Sequence, residues 1–249
     1  IPWKLVDRAV VPGNALELSL LQHGREFAIR LGPNELMGSS EHGSEAALAE
    51  LACARLRGRS ACRLLIGGLG LGYTLAAALR ELDRDFDRDA SVVVAELVPA
   101  VVAWNRGPLA ELNGRALEDP RVDVRETDVA QLFRSEKAAF DGILLDVDNG
   151  PNWVTRSKND WLYSTTGLRA AFDALKRGGV LAVWSVSPDP VFTKRLAQIG
   201  FKAEQIASER AEIAAAGARS GSPSDRDSGF GSQRSESRSG VRAVISTGP

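Results

Sequence analysis

The stretch that most constrains the fold of this chain runs from Arg63 to Thr74 and reads RLLIGGLGLGYT. Its apolar residues Leu64 to Ile66 are typical of a strand that is buried on both faces. Four glycines follow within six residues, and Leu75 to Leu79 then supplies strong helix formers. Glycine permits positive φ and close approach of backbone N–H groups, and a helix N-terminus carries partial positive charge. This strand, turn and helix therefore predict a nucleotide or nucleoside site.

The spacing of the glycines indicates which class of nucleotide or nucleoside the turn binds. A dinucleotide fingerprint requires Gly-x-Gly-x-x-Gly/Ala, but counting from Gly68 the third small position is Tyr73. No Lys-Ser/Thr pair follows the glycines, which excludes a phosphate-binding P-loop. The pattern resembles instead the S-adenosylmethionine turn of Rossmann-like methyltransferases. We therefore take Gly67, Gly68, Gly70 and Gly72 as candidate donor-binding residues.

The second predicted strand, Ser91 to Glu96, ends in a carboxylate. In nucleotide-binding α/β folds an acidic residue about 20 residues past the glycines accepts hydrogen bonds from the ribose hydroxyls. Glu96 stands 24 residues past Gly72, and a charged insertion at 83–89 accounts for the excess. Glu96 is therefore a candidate ribose ligand, with capping of a helix that begins at Pro99 as the alternative.

Two further strands lead to acidic residues. The alternating run 121–126 is followed by Asp128, which is placed to accept a hydrogen bond from an adenine amino group, and the buried run 140–146 ends in Asp146. Ligands of open α/β sheets bind outside the carboxyl ends of the strands. Acids at three consecutive strand ends, with Glu96 as the first, are the strongest indication of a site in this sequence.

The alternation of strands and helices predicts an α/β fold. We expect a Rossmann-like, doubly wound sheet of the methyltransferase type, mostly parallel, with an antiparallel C-terminal strand and a small N-terminal β segment. The predicted units are an N-terminal β hairpin segment at 1–43, a nucleoside-binding domain at 44–207, and a flexible loop with a final strand of the same domain at 208–249. The other predicted elements are strands at 15–21 and 25–31 that form a hairpin, a short strand at 35–37, a helix at 46–56, a helix at 162–176 ended by Gly178-Gly179, a strand at 180–184, a helix at 189–199, and a strand at 201–206 paired antiparallel with 241–245.

Three residues outside the strand ends are candidate substrate-binding residues. Glu45 closes a polar loop before the helix at 46–56, where a capping role is the alternative. Tyr73 follows the last glycine of the turn. Trp153 lies in a long loop at 147–160, of a length that often forms a lid, and it either walls an acceptor pocket or packs the loop onto the core.

Composition limits the partners. The net charge is −1 and the sequence pI is about 6.2, so we expect neither nucleic acid nor membrane as a partner. Cys53 and Cys62 are too few for a disulfide framework and lack metal-ligand spacing, which favours a cytoplasmic protein without a metal. The Ser/Arg/Gly-rich stretch 218–240 is predicted to be a flexible insertion, with RNA binding or phosphorylation as alternatives.

Taken as a set, the motifs resemble the spermidine synthase family of polyamine aminopropyltransferases, within the S-adenosylmethionine-dependent methyltransferase-fold superfamily. The resemblance covers about residues 15–207 and rests on Ile-Gly-Gly at 66–68, Ala-Glu-Leu-Val at 95–98, Asp-Pro-Arg-Val at 119–122, Thr-Asp at 127–128 and Phe-Asp-Gly-Ile-Leu-Leu-Asp at 140–146. It implies decarboxylated S-adenosylmethionine as donor and a polyamine as acceptor. It also implies nucleoside binding by Glu96 and Asp128, and deprotonation of the attacking amine by Asp146.

Three departures from the family pattern concern the aminopropyl half of the site. The Asp that normally grips the donor's terminal ammonium aligns with Gly70, and the second acid after strand four is displaced to Asp148. The Tyr and polar residue that precede the helix glutamate appear here as Gly43 and Ser44. Asp146 and Asp148 are then the candidate catalytic carboxylates, either of which could take the proton of the amine. The donor is either intact or decarboxylated S-adenosylmethionine.

The resemblance therefore implies a spermidine-synthase-like, sulfonium-dependent transferase that moves an aminopropyl group to a small-molecule amine of the polyamine type, and we expect a homodimer. The first alternative is an S-adenosylmethionine-dependent methyltransferase. The second is a protein that binds a nucleoside without turnover.

Overall fold

The residues that the structure describes form two β-sheets, one of them flanked by helices. A computed structural model describes residues 2–13, 15–40, 43–84, 89–146, 161–185, 190–207 and 242–247. Asp148, Trp153, the loop at 147–160 and the segment 218–240, which the sequence singled out, lie outside the described residues. No helix of the described part is long and apolar enough to cross a membrane.

The smaller sheet is antiparallel and has the strand order β1-β2-β3-β4. Its strands are β1 (Lys4–Val10), β2 (Glu17–His23), β3 (Glu26–Leu31) and β4 (Asn34–Gly38). The predicted N-terminal β segment is present, but the hairpin turn was predicted too early. Strand β2 continues to His23, which pairs with Glu26, because Gly24 adopts a φ of 60° and allows the chain to reverse there.

The larger sheet has seven strands in the order β10-β11-β9-β8-β5-β6-β7. The five strands from β9 to β7 are parallel, and β11 runs antiparallel to both of its neighbours. The strands are β5 (Arg63–Gly67), β6 (Ser91–Glu96), β7 (Val122–Glu126), β8 (Phe140–Leu145), β9 (Leu175–Ser185), β10 (Lys202–Ala207) and β11 (Arg242–Thr247). The helices are α1 (Gly43–Leu56), α2 (Tyr73–Arg84), α3 (Pro99–Arg106), α4 (Val129–Ser135), α5 (Thr165–Ala174) and α6 (Pro190–Ile199), and a short 3-10 helix spans Ala116–Glu118.

Both faces of the parallel sheet are buried. Leu64 and Ile66 of β5 pack in the core shared with α1, α2 and the small sheet, whereas Leu65 packs in the second core beneath α4 and α5. Val92 and Val93 of β6 divide between the two cores in the same way. These continuous apolar runs are what a sheet covered on both faces requires, so the predicted Rossmann-like, doubly wound fold is confirmed.

The connection between α5 and β9 differs from the prediction, and the structure also shows where β11 lies in the sheet. Helix α5 ends at Ala174, and Gly178-Gly179 lies inside β9 and does not terminate the helix. Pairing there jumps from Phe140↔Leu175 to Gly142↔Val180, so the intervening residues bulge out of the sheet. Strand β11 pairs antiparallel with β10, as predicted, and it also lies between β10 and β9.

Candidate functional site

A cavity of about 180 Å³ lies at the carboxyl ends of the parallel strands, under the small antiparallel sheet. The strands β6 and β8 lie on opposite sides of β5, so this is the position at which ligands bind in open α/β sheets. One wall carries polar groups from the ends of the parallel strands, and the opposite wall is apolar and comes from the small sheet. The lining residues are Val11, Leu18, Ile29, Leu31, Leu36, Met37, Gly68, Ala95, Glu96, Leu97, Val98, Val101, Thr127, Asp128, Val129, Asp146 and Leu162.

The glycine-rich turn closes one end of this cavity. Gly68, Gly70 and Gly72 have φ values of 90°, 54° and 85°, which favour glycine. Gly67 is needed for packing, because a Cβ there would lie 2.8 Å from Leu145 Cδ2. Four glycines were predicted to bind the donor. Gly68 is among the described residues that line the cavity, whereas Gly67, Gly70 and Gly72 are not.

Glu96 joins the end of β6 to the turn. Its carboxylate accepts hydrogen bonds from Leu69 N at 2.9 Å and from Val98 N at 2.8 Å, and only 8% of the residue is exposed. Burial raises the pKa of Glu96, and backbone N–H groups of the turn and of Leu97 and Val98 oppose that rise. The residue thus holds the turn in place and borders the cavity at the same time. The bond from Val98 N reaches the residue before α3, whereas a cap would accept from the N–H groups of the first turn of that helix.

Asp128 lies at the end of the neighbouring strand β7. Its side chain caps α4 by accepting a hydrogen bond from Ala130 N at 2.8 Å. It also lines the cavity, together with the adjacent Thr127. A capping carboxylate retains further acceptor positions, so Asp128 is still able to accept from a ligand.

Asp146 follows β8 directly and lines the same cavity. Its backbone N–H donates to Gly67 O at 3.1 Å, which joins it to β5. Its carboxylate accepts a hydrogen bond of 2.7 Å from the Thr74 hydroxyl in the first turn of α2. Thr74 is 2% exposed, and the contact as a whole is partly buried. The structure therefore brings Glu96, Asp128 and Asp146 together, as the strand-end argument predicted.

Met37 occupies the space beside Gly70. A Cβ at Gly70 would lie 2.7 Å from Met37 Sδ and 2.9 Å from its Cε. The position at which the resembled family carries an aspartate is therefore covered by a thioether from β4. The sequence departs from the family pattern at Gly70, and in the structure the Met37 side chain lies beside that glycine.

Glu45 and Tyr73 lie together at the start of α1 and α2, and neither is among the described residues that line the cavity. The Tyr73 hydroxyl donates to Ser39 O at 3.4 Å. Burial, with a smaller contribution from the Glu45 charge, raises the pKa of Tyr73 to about 12. Among the described residues no group of three or more His, Cys, Asp or Glu is placed to hold a metal ion.

Sequence reasoning missed four residues of this site: Met37, Thr74, Asn105 and Asn113. Met37 and Thr74 have no distinguishing pattern, since an apolar residue in a short strand and a threonine in a helix are common. Asn105 and Asn113 are buried polar residues near the glycine turn, with 1% and 5% exposure. An asparagine within the apolar helix pattern at 99–106 is the one signal that was available for them.

Comparisons with known proteins agree with the motifs. No protein-family model matches this chain. Curated relatives named polyamine aminopropyltransferase, from Mycobacterium tuberculosis and Mycobacterium bovis, are 35% identical over 123 residues, which are 48% of this chain and 22% of the relative. The matched part thus spans about a fifth of the length of these relatives. The resemblance to polyamine aminopropyltransferases that the motifs indicated is confirmed.

Solved structures show the same fold. A spermidine synthase from Thermotoga maritima has a TM-score of 0.67 at 16% identity, over 98% of this chain and 72% of that chain. A spermidine synthase in complex with the transition state analogue AdoDATO has a TM-score of 0.66 at 16% identity and the same coverage. A probable spermidine synthase from Corynebacterium glutamicum has a TM-score of 0.58 at 11% identity, over 98% of this chain and 79% of that chain.

Proposed function

We propose that this chain is a sulfonium-dependent transferase that moves an aminopropyl group from decarboxylated S-adenosylmethionine to an amine of the polyamine class. The observation that carries the proposal is the cavity at which Glu96, Asp128 and Asp146 meet beside the glycine-rich turn. The similarity to curated polyamine aminopropyltransferases supports the same reaction class. A homodimer is part of the proposal, and light scattering of the purified protein tests it.

The polar wall of the cavity matches the nucleoside part of such a donor. An ionised carboxylate offers about four acceptor positions. Backbone N–H groups of Leu69, Gly70, Leu97 and Val98 already face the Glu96 carboxylate, so ribose hydroxyls would share its oxygens with the backbone. Asp128, one strand further, is positioned to accept from the adenine amino group. The apolar wall from the small sheet supplies the surface that a purine ring requires.

The reaction is an in-line displacement. The lone pair of the acceptor nitrogen attacks the methylene carbon bonded to the sulfonium, and the C–S bond breaks with its electron pair left on sulfur. The neutral thioether 5′-methylthioadenosine departs, and the product nitrogen keeps the positive charge as an ammonium. A free amine with a pKa of about 10 is mostly protonated at neutral pH, so it must lose one proton before its lone pair can attack. Asp146 takes this proton, and the Thr74 hydroxyl donates a hydrogen bond of 2.7 Å to that carboxylate.

The protein supplies little besides position and proton transfer. The donor carries its own activated leaving group, so most of the rate enhancement comes from holding the nitrogen in line with the C–S bond. Asp148 and Trp153 are proposed as a second acid and an acceptor wall, and they lie outside the described residues.

One observation favours a second candidate, methyl transfer from intact S-adenosylmethionine. Met37 Sδ covers Gly70, so the described residues place a thioether where the resembled family places a carboxylate. A thioether neither pairs with the ammonium of a decarboxylated donor nor repels the α-carboxylate of an intact one. Binding of the nucleoside without turnover is the remaining alternative.

Calorimetry with intact and decarboxylated S-adenosylmethionine, followed by mass spectrometry of diamine and triamine acceptors, tests the proposal. We expect tighter binding of the decarboxylated donor and an acceptor whose mass has increased by one aminopropyl unit. A mass increase of one methyl group with the intact donor would establish methyl transfer instead. Binding of 5′-methylthioadenosine with no modified acceptor from either donor would leave the nucleoside-binding role.

A further inference from the structure

Asn105 and Asn113 form a buried pair against the glycine-rich turn. Asn105 belongs to the last turn of α3, and Asn113 lies in the connection that precedes the 3-10 helix. Their exposed fractions are 1% and 5%. The proposed reaction does not use either side chain.

Every polar group of the pair has a partner. Asn105 Nδ2 donates to Gly70 O at 2.8 Å and to Val101 O at 2.9 Å. Asn113 Nδ2 donates to Asn105 Oδ1 at 2.6 Å and to Leu71 O at 3.2 Å, and Asn113 Oδ1 accepts from Ala116 N at 3.2 Å. A flipped amide at Asn105 would turn its oxygen toward two carbonyl oxygens, so the network determines the orientation of both amides.

The pair fills the space that a side chain at Gly72 would need. A Cβ there would lie 2.5 Å from Asn113 Nδ2 and 2.7 Å from Asn105 Oδ1. Gly72 is thus glycine for two reasons, its φ of 85° and the two amides packed against it. An adjacent contact in the turn, from Gly72 N to Leu69 O at 2.8 Å, completes its shape.

The glycine turn is therefore held by two sets of partners. Glu96 accepts from Leu69 N, and the two amides donate to the carbonyls of Gly70 and Leu71. A peptide unit is planar, so fixing the Gly70 carbonyl toward Asn105 also fixes the direction of the Leu71 N–H. Buried amide pairs of this kind hold a backbone in one conformation because the alternative leaves polar groups unpaired.

We propose that Asn105 and Asn113 are positioning residues that hold the glycine-rich turn in the conformation that binds the donor nucleoside. The inference rests on the proposed function for the identity of the ligand, an adenosine thioether. It extends that function because neither asparagine contacts the cavity as described. Their effect reaches the ligand through the turn backbone and through Glu96.

The test uses Asn105→Asp, because a carboxyl at this place can donate to Gly70 O only while it is protonated. We expect the variant to bind 5′-methylthioadenosine about tenfold or more weakly than wild type at pH 8, with partial recovery at pH 5.5. Asn34→Asp, at an exposed position of β4, is the control for an added charge. The wild type and the variant share the other ionisable groups on the elements around the pair, so the effect of these groups on the pH dependence of binding cancels in the comparison. These groups are Asp7, Glu96, Arg106, Glu111 and Arg115.

Hydrogen exchange provides a readout that needs no ligand. In Asn105→Asp at pH 8, and to a smaller degree in Asn113→Ser, the Leu69 and Gly72 amides should exchange faster while amides of β5 and β6 keep their protection. Asn113→Ser serves as the second variant if the first does not fold, because it leaves both Asn105 donor bonds in place. Wild-type affinity and a wild-type pH profile in the variants would overturn the inference. Absence of binding by the wild type would instead overturn the proposed function, and the exchange rates of the turn would still decide the role of the asparagines.

Discussion

Glu96 joins the glycine-rich turn to the wall of the proposed donor site. Its carboxylate is almost fully buried, and backbone N–H groups of the glycine turn and of the segment entering α3 surround it. A carboxylate in such a place opposes its own burial, which is why its pKa is raised. A ligand with two adjacent hydroxyls adds donors to the same group and so stabilises its charged form.

Replacing Glu96 by Ala should weaken binding of 5′-methylthioadenosine by about 1–3 kcal/mol, because ribose hydroxyls and turn N–H groups lose their acceptor. Glu126→Ala is the matched control, since Glu126 is the register partner of Glu96 at the end of β7 and is exposed. Calorimetry of the two variants measures the difference. Equal affinities would contradict the assignment of Glu96 to the ribose.

Substitutions at Asp146 and Thr74 should lower kcat without weakening the binding of the nucleoside. Asp146→Asn removes the proton acceptor and should lower kcat by about 10²–10⁴-fold, the usual size of a general-base contribution. Thr74→Val keeps the shape but removes the hydroxyl that donates to Asp146, so a smaller fall in kcat is expected. The dissociation constant of 5′-methylthioadenosine should change little in either variant. A wild-type kcat in Asp146→Asn would remove this residue from the proposed mechanism.

At the scale of elements, strand β8 is held at its other end by Asp141, far along the strand from Asp146. Asp141 Oδ2 accepts from Lys176 Nζ at 2.7 Å and from Arg63 N at 2.9 Å, and Oδ1 accepts from Arg59 Nη1 at 2.9 Å. These bonds join β8 to β5 and to the bulge of β9. Burial acts to raise the pKa of Asp141, but the Arg63 N–H and the two cations outweigh it, so the pKa lies below its usual range.

Asp141→Asn should lower the free energy of unfolding by about 2–4 kcal/mol at pH 7, since two cations lose a buried partner. A lowered carboxyl pKa gives stability that is present above the unfolded-state pKa and lost as pH falls through the folded-state pKa. The variant should therefore show a shallower loss of stability on the acid side than the wild type. Denaturant unfolding at several pH values measures both effects. Asp173→Asn, which removes exposed ion pairs to Lys137 and Arg169, should cost less than about 1 kcal/mol, and an equal cost would contradict the role of burial.

Elements with a strong local pattern were predictable. The prediction for β6 has the bounds of the observed strand, because its apolar residues 92–95 lie between the charged segment 83–89 and Glu96. The C-terminal end of α5 was not predictable in the same way. Gly178-Gly179 resembled a helix stop, but pairing with β8 recruits Leu175 into the sheet and leaves the glycines in a bulge. Long-range pairing outweighed the local signal.

The part of the candidate site that lies at the ends of the parallel strands was predictable, because the order of the strands determines where those ends meet. Acids at the ends of parallel strands converge whichever helices connect them, so Glu96, Asp128 and Asp146 were found from the sequence. Side chains that reach the turn from a different element, such as Met37 and Asn105, depend on packing geometry. Their contacts with Gly70 join parts of the chain with no shared sequence pattern.

At the scale of the whole molecule, the cavity belongs to two sheets at once. Its polar wall comes from the ends of β5 to β8, and its apolar wall comes from the small sheet, through residues such as Leu18 and Ile29. The small sheet is also tied to α3, where Asp7 Oδ2 accepts from Trp104 Nε1 at 2.7 Å. Because 180 Å³ is below the about 300–1,000 Å³ of most ligand pockets, we expect the small sheet to shift when a complete nucleoside enters.

A ligand that touches both sheets should stabilise both of them. At a concentration of about 100 times the dissociation constant, 5′-methylthioadenosine should add about 2.7 kcal/mol to the free energy of unfolding, and for a chain of this size it should raise Tm by about 5–10 °C.

Hydrogen exchange shows whether the ligand stabilises both sheets or only the larger one. We expect amides of β2 and β3 to gain protection together with amides of β5 and β6. In Asp7→Ala, which removes the acceptor for the Trp104 indole, the gain in β2 and β3 should be smaller while that in β5 and β6 is kept. Protection confined to β5 and β6 in the wild type would mean that the small sheet does not form a wall of the bound site.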